Sequence, residues 1–293
     1  MNAFIYKSLL DAAFLGRALG ENQQAAVFEK AASDLAAAFN KVLWDEKEGT
    51  YYSGYSEDYE KAKADGIARG SKVPVADGKL VAPTMFPALW ALDQGIVPEP
   101  RRESVARYFE ANRQQAERIM TFYYLFKQLY EADTASFDKE ILDAMRARWK
   151  DMVEWPWQTT WEEFRGGSKA HIYGMFPGYF LSAYVLGVRL EGPVWNHRIL
   201  IEPRLGGLSS AEGVVVTPYG PVPVSWKAEE GKLTFRFEVP PAVKATVHIP
   251  QPGGNSRLVL DRNVAGQAQG RYLVTEAGPG AHNGILTFSP AAR

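Results

Sequence analysis

Lys232-Leu233-Thr234-Phe235-Arg236-Phe237-Glu238-Val239 alternates apolar and polar residues without a break. A period of two sends successive side chains to opposite faces, so this stretch reads as a strand with one buried side. The same texture continues on both flanks. Gly213-Val214-Val215-Val216-Thr217-Pro218 and Val222-Pro223-Val224-Ser225-Trp226-Lys227 flank a Tyr219-Gly220-Pro221 turn, and Ala245-Thr246-Val247-His248-Ile249-Pro250 repeats the theme. Arg198-Ile199-Leu200-Ile201-Glu202-Pro203 reads as a short strand ended by proline. Short strands between Gly/Pro turns predict an antiparallel β-sandwich over residues 188–293.

Upstream of Val188 the period changes. Phe4, Ile5, Leu9, Ala12, Ala13, Leu15 and Leu19 fall largely on one helical stripe, and Gly20 stops it. A second helix is predicted from Glu21 to Leu43, with a long Ala-rich face. Segments 83–95, 98–116, 119–132, 137–153 and 168–187 read the same way, giving about seven helices in pairs. Pro98 and Pro100 suit a helix start. Residues 1–187 are therefore expected to form a domain of helical hairpins. Between Tyr51 and Val81 lies a long loop rich in aromatic residues and glycine, and loops of that length often carry function.

Composition narrows the chemistry. The chain has 293 residues, 33 Lys+Arg against 34 Asp+Glu, and 46% hydrophobic residues. That is the composition of a folded globular protein. Near-zero net charge argues against a nucleic-acid or anionic-membrane partner, and no apolar run approaches the roughly 18 residues of a membrane span. With no cysteine, thiolate nucleophiles and Cys-ligated metals are excluded. Four scattered histidines make a His-rich metal site unexpected. No cofactor is implied: the Pro252-Gly253-Gly254 turn lacks the Lys-Ser/Thr of a phosphate loop, and no Asp-rich calcium loop occurs. No signal peptide is visible, and the lack of cysteine tips the expected localisation toward the cytoplasm.

The segment Trp155-Pro156-Trp157-Gln158-Thr159-Thr160-Trp161-Glu162-Glu163-Phe164-Arg165-Gly166-Gly167-Ser168 is the richest in chemistry. A carboxylate beside aromatic rings can hold a water for attack, or have its affinity for a proton raised by desolvation. Neighbouring glutamates point in different directions, so at most one of Glu162 and Glu163 is expected to face a cleft. The same residues also fit a helix start, with Thr160 and Glu163 as a capping box. His171 then opens a strongly apolar stretch, where a lone histidine is commonly structural, and Ser168 suits an N-cap.

The order Asn2-Ala3-Phe4, Leu43-Trp44-Asp45, Thr159-Thr160-x-x-Glu163, then Ser168-x-x-His171-x-Tyr173-Gly174 resembles the bacterial α-L-rhamnosidase family of six-hairpin glycosidases. Downstream, Ile201-Glu202-Pro203-Arg204-Leu205-Gly206-Gly207-Leu208, Ala211-Glu212-Gly213 and Thr217-Pro218-Tyr219-Gly220-Pro221 look like that family's C-terminal β domain. The resemblance implies a partial (α/α)6 toroid of helical hairpins followed by the β-sandwich. It also implies inverting hydrolysis of terminal α-L-rhamnosyl residues by two carboxylates. By the same resemblance Glu163 is the base, with Glu162 as the alternative, His171 contacts substrate, and Trp161 and Trp157 supply stacking walls. Rhamnose-containing glycosides or oligosaccharides are the implied partners.

Two departures from the family pattern stand out. About seven helices fill a domain that closes with six hairpins, and no Asp-x-x-x-Arg-x-Glu-Arg type motif supplies a general acid. The chain is therefore expected to correspond to a C-terminal portion with impaired hydrolysis. Inner helix faces left uncovered predict homo-oligomerisation. Two other readings fit the layout. A polysaccharide lyase would use His171 and Tyr173 and dispense with Glu163, and a non-catalytic remnant would bind sugar without turnover.

Overall fold

Helices α1 (Asn2–Ala18) and α2 (Asn22–Val42) form the first hairpin of the computed structural model, which describes residues 1–55, 80–132, 135–251 and 255–289. The central part of the Tyr51–Val81 loop and the Pro252-Gly253-Gly254 turn lie outside the described residues. The chain divides into two compact units, Met1–Gln128 and Leu129–Arg293.

In the first unit, the α1–α2 hairpin is followed by short strands β1 (Trp44–Asp45), β2 (Thr50–Tyr51), β3 (Gly54–Tyr55) and β4 (Leu80–Val81), then α3 (Met85–Asp93) and α4 (Glu99–Asn112). Proline stands at the start of α4, as the sequence predicts. Phe39, Met85, Leu89, Val105 and Phe109 are among the side chains that fill its core. Asn40 is a polar hub. It donates to the carbonyls of Ala36 and Ile96, accepts from the Tyr51 hydroxyl at 2.6 Å, and its own carbonyl receives Arg101. Burial pushes the Tyr51 hydroxyl up to about 12. Asp45 caps the β1–β2 turn by accepting the N–H groups of Lys47 and Glu48.

Helix α5 (Ile119–Glu131) carries the boundary between the units, and α6 (Asp138–Glu154) belongs to the second. The expected single helix over 168–187 is not formed. Ile172–Met175 is a 3-10 turn, α7 covers only Pro177–Phe180, and Leu181–Val185 is a π-helical turn. Gly174, Pro177 and Gly178 interrupt the helical ladder there, which the apolar periodicity conceals.

Among the described residues eleven strands follow, from β5 (Val188–Leu190) and β6 (Arg198–Ile201) to β7 (Ser210–Thr217), β8 (Gly220–Glu229), β9 (Lys232–Val239) and β10 (Lys244–Pro250), then β11 (Arg257–Leu260), β12 (Asn263–Ala265), β13 (Gln267–Gln269), β14 (Tyr272–Ala277) and β15 (Gly280–Thr287). They make a five-stranded sheet, ordered β13-β14-β10-β6-β5, and a six-stranded sheet, ordered β12-β11-β15-β9-β8-β7. Pairing is antiparallel except between β6 and β10, which run parallel. Val222, Val224 and Trp226 on β8, Leu233, Phe235 and Phe237 on β9, and Ala245, Val247 and Ile249 on β10 are buried in strict alternation.

A buried ion pair ties α6 to the chain entering the β region. Arg204 donates to both oxygens of Asp138 at 2.6–3.1 Å and to the carbonyl of Tyr130 at 3.0 Å. Tyr130 stacks on Tyr184 at 4.2 Å, and Arg189 lies over the Tyr184 ring. Helix α6 is thus fixed at its start, and its far end launches the Trp155–Phe164 stretch.

Candidate functional site

Helix α6 stops because Pro156 disfavours helical geometry at Trp155, which is extended. The following chain, through Ser168, is irregular. The capping-box reading of Thr160 and Glu163 is therefore not realised, since no helix starts there. Thr160 bonds elsewhere: its hydroxyl donates to the His171 carbonyl at 2.8 Å, and the His171 N–H donates to the Thr160 carbonyl at 2.9 Å. Ser168 caps no helix either; its hydroxyl bonds within the turn to Ala170.

Trp149 of α6 is the post against which this loop rests. Its indole N–H donates to the carbonyl of Gly174 at 2.8 Å, and Phe164 and Phe176 pack edge-on against its rings at 4.9 and 5.1 Å. Gly174 sits so close to the loop that a Cβ there would lie 2.8 Å from Thr160 Cβ and 2.9 Å from the Trp161 nitrogen. Only glycine permits that approach.

The two glutamates are half-buried and differ in their partners. Glu162 closes a small ring. Its backbone N–H donates to the Ser168 carbonyl at 2.9 Å, and its Oε2 accepts the Ser168 N–H at 3.1 Å. Gly167, at φ +69°, leaves room for this, since a Cβ there would press on the Glu162 side chain. Glu163 makes no hydrogen bond or ion pair among the described residues.

Trp161 is buried, 5% exposed, with Trp155 edge-on at 5.7 Å. The Lys169 ammonium lies over its ring, 3.1 Å from the centroid. One face of Trp161 is thereby occupied. Trp161 Nε1 and Thr159 Oγ1 are both buried and make no hydrogen bond among the described residues. Trp157 stands in the opposite situation, 73% exposed and 5.4 Å from Trp155. His171 is the cap of the 3-10 turn: its Nδ1 accepts the Tyr173 N–H at 3.3 Å, which makes Nε2 the N–H donor.

All five residues singled out from the sequence thus fall on one short irregular segment and the turn after it. Within it Thr160 bonds to His171 and Glu162 to Ser168, while Trp161 is held between Trp155 and Lys169. Lys169 and Trp149 escaped sequence reasoning, because eight residues separate Lys169 from the ring it covers and Trp149 reads as an ordinary core position. Chemically the segment offers a free carboxylate, an anchored carboxylate, an imidazole donor and an exposed indole. Among the described residues no cluster of three or more His, Asp or Glu side chains is placed to hold a metal ion. No described helix is long and apolar enough to cross a membrane.

Helical hairpins followed by two β-sheets are the layout that this chain shares with solved structures of rhamnosidases. Residues 187–261 match the family model for the bacterial alpha-L-rhamnosidase C-terminal domain. Residues 1–122 match the Trehalase family model. Among solved structures, the GH78 family rhamnosidase of Bacillus sp. GL1 superposes with a TM-score of 0.67 and 27% identity over 85% of this chain and 26% of its own. The α-L-rhamnosidase of Dictyoglumus thermophilum gives a TM-score of 0.70 at 18% identity over 97% of this chain and 31% of its own. That of Streptomyces avermitilis, solved in complex with L-rhamnose, gives 0.67 at 18% identity over 97% of this chain and 26% of its own. At 18% these last two speak for the fold alone. The chain spans about a third or less of the length of these structures. No curated protein matches it in sequence.

Proposed function

We propose that this chain carries the base-bearing part of a glycoside hydrolase that releases terminal α-L-rhamnosyl residues from rhamnose-containing glycosides with inversion. Residues 1–187 contribute helical hairpins and residues 188–293 the β domain. The observation that carries the reading is the 27% identity and shared fold with the Bacillus rhamnosidase over 85% of the chain. Inversion needs a water between a carboxylate and the anomeric carbon, with a general acid on the opposite side, the two carboxyl groups about 6.5–9.5 Å apart. Glu163 is assigned the base, since its carboxylate is committed to no other described group. His171 offers its Nε2–H to a ring hydroxyl, and Trp157 offers an exposed stacking face. Trp161, with Lys169 on one face, supports the loop from below. Its unsatisfied indole N–H and the Thr159 hydroxyl suit a bound hydroxyl or water, because buried polar groups rarely stay unpaired. No residue of this chain is assigned the general-acid role.

One observation favours Glu162 as the base instead. The Ser168 N–H holds its Oε2, which fixes the direction of Oε1. Aryl rhamnosides with good leaving groups separate the two, since they need little help from an acid. Release of free rhamnose is followed for the chain, Glu163→Gln and Glu162→Gln. The assignment predicts a loss of about 10²–10⁴-fold in turnover for the first and a small change for the second. The reverse pattern moves the role to Glu162. Unchanged turnover in both removes the base from this segment, and an unsaturated uronate chromophore formed from a uronate-containing polysaccharide, with no rhamnose released from the aryl rhamnoside, identifies a lyase.

A further inference from the structure

The outer face of the six-stranded sheet carries a polar row in strict register. Glu212 on β7 is opposite Ser225 on β8, Ser225 is opposite Arg236 on β9, and Arg236 is opposite Asn283 on β15. Their neighbours Val224, Trp226, Phe235 and Phe237 are buried, so the row faces away from the core. A second row beside it pairs Lys227 with Thr234. These residues line an open cavity of about 710 Å³.

Opposite charges placed directly across from each other on neighbouring strands pair and stabilise a sheet. Here Glu212 and Arg236 are two strands apart, roughly 10 Å at the usual strand spacing. The short Ser225 lies between them, half-buried, as a floor. Neither charged side chain makes an ion pair or hydrogen bond among the described residues. Four strands span about 14 Å, the length of a short run of sugar rings. Glu212 disfavours an anion beside Arg236, while a carboxylate, a guanidinium and an amide together supply both donors and acceptors in planar pairs. That set suits vicinal hydroxyls.

We propose that this sheet face binds a neutral oligosaccharide, with Arg236, Glu212 and Asn283 holding ring hydroxyls above the Ser225 floor. The site lies on the outer sheet face, apart from the Trp155–His171 segment, and the choice of rhamnose as its sugar rests on the hydrolase reading. It would hold a glycan chain to the protein without taking part in bond cleavage.

The test is titration of the full chain with an α-linked rhamnose trisaccharide, read by calorimetry and by amide and side-chain NMR shifts. Shifts at Arg236 and Asn283 are expected. Arg236→Ala should weaken binding at least about tenfold, through loss of hydrogen bonds from a charged donor. Ser225→Phe, which fills the floor and removes no charged group, should weaken it comparably. Both variants sit on an exposed face, and both should keep the wild-type melting temperature and aryl-rhamnoside turnover. Binding should also survive in the Glu162→Gln/Glu163→Gln double variant, so failure of the base assignment leaves this result readable. Absence of shifts on the row at saturating trisaccharide, or equal affinity in wild type, Arg236→Ala and Ser225→Phe, overturns the proposal.

Discussion

Thr160 and His171 are tied to each other twice, by the Thr160 hydroxyl on the His171 carbonyl at 2.8 Å and by the His171 N–H on the Thr160 carbonyl at 2.9 Å. The carboxylate-bearing loop and the imidazole therefore move as one piece. Thr160→Val removes the side-chain bond and keeps the shape. The expected cost is about 0.5–1.5 kcal/mol of stability, seen as a lower denaturant midpoint, with Thr160→Ser close to wild type. If the tie positions His171, the valine variant should also raise KM for an aryl rhamnoside more than it lowers kcat. A midpoint unchanged by Thr160→Val would show the bond to contribute nothing.

The Asp138–Arg204 pair joins α6 to the chain that enters the β region, and both side chains are almost fully buried. Removing one partner strands the other charge. Arg204→Ala is expected to cost about 3–5 kcal/mol, whereas replacing both by apolar residues of similar volume, Asp138→Leu with Arg204→Met, should cost far less. Urea denaturation of the single and double variants measures this. A double variant as unstable as Arg204→Ala would mean that the ion pair itself, rather than the stranded carboxylate, sets the penalty.

How much of this was readable from the sequence depends on the range of the forces involved. Strand β9 was legible to the residue because its alternation is local, and α1 to α6 fell within a few residues of their predicted spans for the same reason. Strands β11 to β15 were not read. β12 and β13 are three residues each, and the β11–β12 turn uses positive φ at Asp261 and Arg262 without a glycine to announce it. The parallel pairing of β6 with β10 joins segments more than forty residues apart and leaves no local trace. At the candidate site the residue types were visible, but Thr160 looked like a helix cap because local propensity favours one. The partner that took its hydroxyl lies eleven residues away.

Helix α1 and the start of α2 leave large apolar side chains in solvent. Phe14 is 53% exposed, Leu15 58%, Leu19 78% and Val27 59%. Scattered apolar residues are common at surfaces, but several on one hairpin favour association. Light scattering after size exclusion is expected to show species above the 32.6 kDa chain mass, rising with concentration. Leu15→Glu with Leu19→Glu should shift the population to monomer. A monodisperse wild-type monomer over the same concentration range overturns the expectation.

Asp261 holds the β11–β12 turn in a pH-dependent way. Its Oδ1 accepts the Asn283 N–H at 2.9 Å and its Oδ2 contacts His282 Nδ1 at 2.5 Å. Burial pushes its proton affinity up, but the Asn283 N–H and the His282 ring outweigh this and hold the carboxyl below the usual range. A carboxyl whose folded value is depressed adds stability that is complete above its unfolded value, near pH 4, and is lost as pH falls through the lower folded value. The turn should therefore loosen only in acid. Asp261→Asn loses the charge at every pH, so the gap between its urea midpoint and that of wild type should be widest above the unfolded value and should narrow as pH falls through the lower folded value. A gap that stays constant across this window would show that the side chain stabilises the turn by shape and not by charge.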